Sequence, residues 1–197
     1  MKKSIAFFDF DGTITTRDTL LEFIKYSKGT LPFYIGFALN SPYLVALKLK
    51  LMHNQKAKEK VLQYFFNKMP LTEFQEKCKS FAKEVIPQLL RPGALEEIAR
   101  LKAANTAIVI VSASPENWIR DWADSIGATL IATKLQVKQD QLNGLIDGHN
   151  CHGEEKVLRI RRQYNLADYQ EIYAYGDSSG DKPMLSLASS GHYKPFR

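Results

Sequence analysis

Three short apolar runs, each closed by polar residues and separated from the next by segments of helical pattern, set the terms on which this chain can fold. Ile5-Ala6-Phe7-Phe8 ends in Asp-x-Asp-Gly, Thr106 to Val111 (TAIVIV) ends at Ser112, and Glu171 to Tyr175 (EIYAY) ends in Gly-Asp. Apolar runs of this length, rich in β-branched and aromatic residues, predict buried strands. Ala128 to Thr133 is a fourth candidate. Helices are expected between them: one starting near Pro92 and ending before Asn105, and one from Ser114-Pro115, read as N-cap and N1, to about Ile126. A third covers Gly153 to Tyr164, acidic at its start and basic at its end, as the helix dipole favours. Asn143-Gly144 predicts the turn of a small hairpin. Strands alternating with helices predict an α/β fold with a parallel sheet and helices on both faces.

The stretch from Thr16 to Leu90 breaks that rhythm. It holds no convincing strand. Ser41-Pro42 reads as one helix start and Thr72-Glu73-Phe74-Gln75 as a capping box for another. The division expected is a core of residues 1–15 and 91–197, with a small all-helical cap, residues 16–90, inserted after the first strand. A chain of 197 residues suits one core with such an insertion.

Charge is concentrated in the insertion. Between Leu31 and Lys68 six lysines face one acid, Glu59, which supplies nearly all of the chain's net +6. Just upstream, Gly29 to Leu47 is a 19-residue run without charge. Gly29, Pro32, Gly36, Asn40 and Pro42 interrupt it and argue against a membrane span. Two readings stay open: a pair of apolar helices packed inside the cap, or a cap surface resting on lipid headgroups. With 45% apolar and 24% charged residues the chain is not disordered. Two cysteines, Cys78 and Cys151, exclude a disulfide scaffold and suit a reducing compartment. The apolar stretch after Met1-Lys2-Lys3 is too short for a signal peptide, so a cytoplasmic location is expected, with contact to the inner face of the membrane left open.

The polar residues closing the strands are of a kind. Asp9 and Asp11, two apart, share one side while Phe10 turns to the core. Gly12 permits a sharp turn and Thr13 adds a hydroxyl. Carboxylates this close repel unless a cation lies between them or one keeps a proton, and all-oxygen ligation at a strand end suits Mg²⁺. Ser112 follows the second strand, where groups point into the ligand crevice of an open parallel sheet. Lys156 sits in the first turn of its helix, where a cation opposes the dipole and calls for an anionic partner. Gly176-Asp177-Ser178-Ser179-Gly180-Asp181 brings two more carboxylates to the same rim.

These motifs, Asp-Phe-Asp-Gly-Thr (9–13), Ser112, Lys156 and Gly-Asp-Ser-Ser-Gly-Asp (176–181), occur in order and span nearly the whole chain. The chain resembles the haloacid dehalogenase superfamily of aspartate-dependent phosphohydrolases. Its early helical insertion is similar to the cap of the branch containing phosphoserine phosphatases. The resemblance implies a Rossmann-like core and a phosphate monoester hydrolase. It further implies Asp9 as nucleophile and Asp11 as acid and base. Mg²⁺ would be held by Asp9, the Asp11 backbone carbonyl and Asp177, with Asp181 behind them. Gly12, Ser112 and Lys156 would bind phosphate.

The substrate is less legible. Asp18 falls where phosphoserine phosphatases carry an acid near the substrate amine, but Ser112-Ala113-Ser114-Pro115 departs from their Ser-Gly-Gly run. The apolar, basic insertion and the Lys-Pro-Phe-Arg ending (194–197) resemble a subgroup that includes enzymes acting on phosphatidylglycerophosphate. An anionic, lipid-linked monoester is therefore the expected substrate. The alternatives are phosphoserine or another small soluble ester, a phosphotransferase using the same intermediate, and a non-catalytic anion-binding protein. Nucleic acid is not expected, because Lys48 to Lys68 lacks stacking platforms or groove-reading motifs. His149-Asn150-Cys151-His152 reads as a loop rather than a zinc cluster. Arg159, Arg161 and Arg162 read as a solvated helix face, and Trp118 and Trp122 as packing residues. The sequence does not speak to oligomeric state.

Overall fold

A computed structural model describes residues 3–197; the Met1-Lys2 start of the basic leader lies outside them. Six strands form one sheet: β1 (Ser4–Phe8), β2 (Ala107–Pro115), β3 (Thr129–Lys138), β4 (Gln141–Asp147), β5 (Glu171–Gly176) and β6 (Ser190–Tyr193). Their order is β4-β3-β2-β1-β5-β6, parallel throughout except for β4. The chain thus has the mostly parallel α/β architecture the sequence predicts.

Side chains alternate across β1 and β2 with the period of a pleated strand. Ala6, Phe8, Ile108 and Ile110 fall on one face, and Ile5, Phe7, Val109 and Val111 on the other. Both faces are apolar because both are covered. Helices α6 (Pro92–Ala103) and α7 (Glu116–Ser125) contribute Ile98, Leu101, Trp118 and Ile119 to the first face. Helices α8 (Glu154–Gln163) and α9 (Lys182–Leu185) contribute Ile160 and Met184 to the second.

Between β1 and α6 lie five helices: α1 (Thr19–Lys28), α2 (Thr30–Lys48), α3 (Asn54–Phe66), α4 (Leu71–Glu84) and α5 (Ile86–Leu89). The chain departs and returns side by side, with Thr15 and Leu90 paired across an antiparallel bridge. Phe23 of α1 is the centre of this layer. Its ring stacks on Trp118 at 4.6 Å and meets Phe66, Phe74 and Phe81.

Four local expectations are corrected. The 29–47 run is one unbroken helix, not a pair, and Pro42 lies inside it. Proline cannot donate to the Ala38 carbonyl; the Ser41 hydroxyl does so instead, at 2.7 Å. Ser114 is not an N-cap: β2 runs on to Pro115 and Ser114 is buried. Thr72 lies inside α4, which begins after Pro70. The hairpin turn is Gln139-Asp140, both at positive φ (52° and 56°), and Asn143-Gly144 lies within β4.

Gly144 answers a different need. Its φ is +72°, and a Cβ there would collide with the backbone of Gln63 in α3. The insertion and the hairpin are joined at this point: Lys68 N donates to Leu142 O (2.8 Å), Leu142 N to Met69 O (2.9 Å) and Leu71 N to Asp140 O (2.9 Å). These bonds also cover the exposed edge of β4. Gly144→Ala is expected to cost about 2–4 kcal/mol, from left-handed strain plus backbone displacement. Thermal denaturation would read this as a fall in Tm, and an unchanged Tm would show the approach to be loose.

Candidate active site

The carboxyl ends of β1, β2 and β5 and the start of α8 converge beneath α2 and α3, around a cavity of about 360 Å³. Beyond Phe8 the chain makes a widened turn, closed by Thr15 N donating to Phe10 O at 3.0 Å. Phe10 is fully buried against Trp122, which leaves Asp9 and Asp11 facing the cavity. Gly12 sits at φ +80°, and a Cβ there would lie 2.6 Å from Asp177 Oδ2. Only glycine lets the two loops close on each other.

Lys156 is 1% exposed, with Nζ 2.6 Å from Asp9 Oδ1 and 2.7 Å from Asp181 Oδ1. A buried ammonium is tolerated only when paired in this way. Burial alone would lower its pKa; Asp9 and Asp181 override that and raise it. Asp181 Oδ2 accepts from the amides of Asp177 and Ser178 and from the Ser178 hydroxyl (3.2, 2.9 and 2.7 Å), so the 176–181 loop folds around it. Burial opposes its ionisation, but Lys156 and these donors hold its pKa below the ordinary value.

Asp9 is less well compensated. Thr13 Oγ1 donates to its Oδ2 at 3.0 Å. Burial nevertheless pushes it up to about 7; Lys156 opposes this, while Asp181 and Asp11 add to it. Asp9, Asp177 and Asp181 each offer an oxygen, and these atoms lie within 4.8 Å of one another. Three hard oxygen donors with incompletely balanced charge fit a divalent cation such as Mg²⁺. Asp177 is also paired with Arg197.

The Asp11 carboxylate lies outside that trio. Its Oδ1 accepts from Thr19 N (2.7 Å) and Thr19 Oγ1 (2.5 Å), and its Oδ2 accepts from Ser112 Oγ at 3.1 Å. Trp118 Nε1 donates to Thr19 Oγ1 (3.1 Å), so the ring that packs on Phe23 also fixes the residue holding Asp11. Ser112 is fully buried behind the cavity wall, and its hydroxyl also accepts from Ser114 N at 2.9 Å. Of the residues expected from sequence, Asp9, Asp11, Lys156, Asp177 and Asp181 line the cavity, while Gly12 and Ser112 lie just behind it.

Other groups also reach the cavity: Lys58, Asn150 and His152 carry no sequence signal as site residues, whereas Asp18 does. Lys58, on α3, donates to Ala113 O at 2.7 Å and lies 3.5 Å from Asn150 Oδ1. Burial lowers its pKa, with Asp11 and Asp18 pulling the other way. Asn150 is held by Thr133 Oγ1 at 3.0 Å, and His152 stands beside it at the wall. Asp18 caps α1, accepting from Leu20 N (2.9 Å) and Leu21 N (3.3 Å). It opens to solvent at the cavity mouth, although the surrounding walls, then Asp11, push its pKa upward. Arg159 is not merely solvated: it donates to Glu155, to Ala132 O and to His149 O, tying α8 to the loop beneath the cavity. Apolar side chains make up much of the remaining wall, Leu20 and Leu21 of α1, Phe37, Leu44 and Leu47 of α2, and Val61 of α3, along with Asn54, Ser114 and Ser178.

The chain has recognisable relatives among known proteins. The family model described as haloacid dehalogenase-like hydrolase matches residues 6–186. A Caulobacter vibrioides protein, Protein CicA, is 34% identical over 96% of this chain and 85% of its own length. A phosphoserine phosphatase of Methanocaldococcus jannaschii is 26% identical over 95% of this chain and 83% of its own. A Bordetella pertussis protein of unknown function, known from its crystal structure, superposes with a TM-score of 0.81. It is 22% identical and covers 96% of this chain and 88% of its own.

Proposed function

The chain belongs to the haloacid dehalogenase-like hydrolase family and is a phosphatase, and we propose that it hydrolyses an anionic, lipid-linked phosphate monoester in a Mg²⁺-dependent reaction. The cavity carries this reading. Its polar end presents carboxylates and lysines and its wall six apolar side chains, which suits a phosphate joined to an apolar body.

In this reading Asp9 attacks phosphorus in line. The bond to the ester oxygen breaks, a carboxyl oxygen becomes phosphorylated, and Asp11 gives its proton to the departing alkoxide. Water then attacks phosphorus, Asp11 takes its proton, and Asp9 is released with inorganic phosphate. Lys156 balances charge on Asp9 and on the phosphoryl oxygens. The Ser112 hydroxyl turns from Asp11 to the phosphoryl group when Asp11 engages the ester oxygen. Asp9, the Asp11 main-chain carbonyl and Asp177 would hold Mg²⁺, with Asp181 fixing the Asp177 loop. The cation would supply charge neutralisation between nucleophile and phosphate. Lys58 faces the anionic part of the substrate from the insertion.

A second reading has an observation of its own. Asp18 and Lys58, both at the cavity, match the ammonium and carboxylate of a zwitterionic ester such as phosphoserine. A panel of lipid-linked, amino-acid, sugar and nucleotide monoesters, read as released phosphate, separates the two. The lipid-linked ester is expected to exceed the soluble ones in kcat/KM by about tenfold or more, since each buried methylene contributes about 0.8 kcal/mol. Chelation should remove turnover by at least about 10³-fold, restored by Mg²⁺. Preference for soluble esters would overturn the substrate assignment, and full activity in chelator would overturn the metal.

A further inference from the structure

Helix α2 is apolar on two opposite sides, and only one is used. Phe33, Phe37 and Leu44 pack inward on the core. On the other side Leu31, Ile35, Leu39, Val45 and Leu49 are 48–70% exposed. At 3.6 residues per turn these five fall within an arc of about 120°. Tyr34 borders the same arc at 61% exposed, and Leu51, just past the helix, is 78% exposed. Contiguous apolar patches of this extent are uncommon on monomers and mark contact surfaces.

The charges around the patch identify the occupant. From Phe23 to Lys58 the chain contains no acid. Lys48, Lys50 and Lys56 are exposed at the C-terminal end of α2 and the start of α3, and Lys60 lies over the Tyr43 ring at 5.8 Å. The first acid, Glu59, is turned away: its Oε1 accepts from Ile146 N and Gln55 Nε2, both at 3.2 Å. A second copy of the chain fits poorly. Packed in parallel, two α2 helices would oppose their lysines; packed antiparallel, each would set its lysines against the positive N-terminal end of the other. An anionic bilayer accepts both the apolar arc and its basic end.

We propose that the outer face of α2 docks on an anionic lipid surface, with the helix lying in the interface plane. It does not span, because its opposite side is committed to the core. At the helix end Leu47 lines the cavity wall, while Leu49 and Leu51 are exposed outside it. The docking goes beyond the substrate assignment and stands without it.

Co-sedimentation with vesicles of equimolar phosphatidylglycerol and phosphatidylcholine tests this. Neither lipid is a phosphate monoester, so binding is read without turnover. The protein is expected to sediment with these vesicles and far less with phosphatidylcholine alone. Leu39→Glu/Val45→Glu should weaken binding at least about tenfold, by placing charge in the interface. Lys48→Gln/Lys56→Gln should weaken it about fivefold per lysine on the anionic vesicles only. Unchanged Tm and unchanged hydrolysis of p-nitrophenyl phosphate would show that the variants are folded. Absence of sedimentation, or wild-type binding by Leu39→Glu/Val45→Glu, would overturn the proposal. So would a dimer in light scattering that this variant disperses.

Discussion

Asp9→Asn is expected to remove phosphate release almost entirely, by at least about 10⁴-fold in kcat at saturating Mg²⁺, as loss of a covalent nucleophile does elsewhere. Asparagine keeps the shape of the side chain and an oxygen for Thr13 or Lys156, but an amide does not attack phosphorus. The fold should survive. Lys156 retains Asp181 at 2.7 Å, and the lost carboxylate is the one that burial opposes. That opposition gives a second readout. The Asp9 carboxyl titrates near 4 when unfolded and near about 7 when folded without cation, so folding binds a proton between those values. Stability from this group is therefore full below about pH 4 and falls as pH rises through about 7. In chelator, Asp9→Asn should lack this fall, so its Tm relative to wild type should improve from about pH 5 to about pH 8. Activity equal to wild type would leave Asp9 no catalytic part and favour a protein that only binds anions.

What could be read before the structure follows from how local each signal is. β1, β2 and β5 were legible because both faces of a parallel sheet are apolar, and Asp9, Asp11, Ser112 and Asp177 inherit their positions from strand ends. Lys156 was legible as an anomaly, a cation at the wrong end of a helix. Lys58 was not. Nothing local separates it from Lys56 or Lys60, and only the packing of α3 against β4, permitted by Gly144, turns it inward. Thr19 and Trp118 are 99 residues apart and meet at Asp11 only in three dimensions. The turn signals failed for a related reason. Ser-Pro and Asn-Gly mark conformations that several contexts can use: Ser41 replaces a bond that Pro42 cannot make, and Gly144 makes room for a neighbour. β6 leaves no sequence signal because Ser190–Tyr193 is short, half-exposed and carries glycine.

Lys156→Met tests how far the site and the fold depend on one another. Methionine fills much the same volume, so packing is nearly conserved while the charge is lost. Asp9 and Asp181, 6% and 1% exposed, would then face each other without the ammonium between them. Leaving a buried ion partner uncompensated costs about 3–5 kcal/mol, which for a chain of this size lowers Tm on the order of 10 °C at about pH 7. The pH dependence has a definite sign. Asp181 is held below its ordinary pKa in the wild type, so its contribution is present above about pH 4 and lost as pH falls through the depressed folded value. The variant lacks that contribution and relieves its repulsion by taking up protons. The gap in Tm between the two proteins should thus be widest near neutrality and close on acidification. Turnover should fall together with stability but should not recover on cooling, because the phosphoryl group loses a cation that Mg²⁺ alone does not replace. Equal melting and equal rates would instead show that the Lys156 ammonium contributes to neither the fold nor the reaction, and would separate α8 from the chemistry.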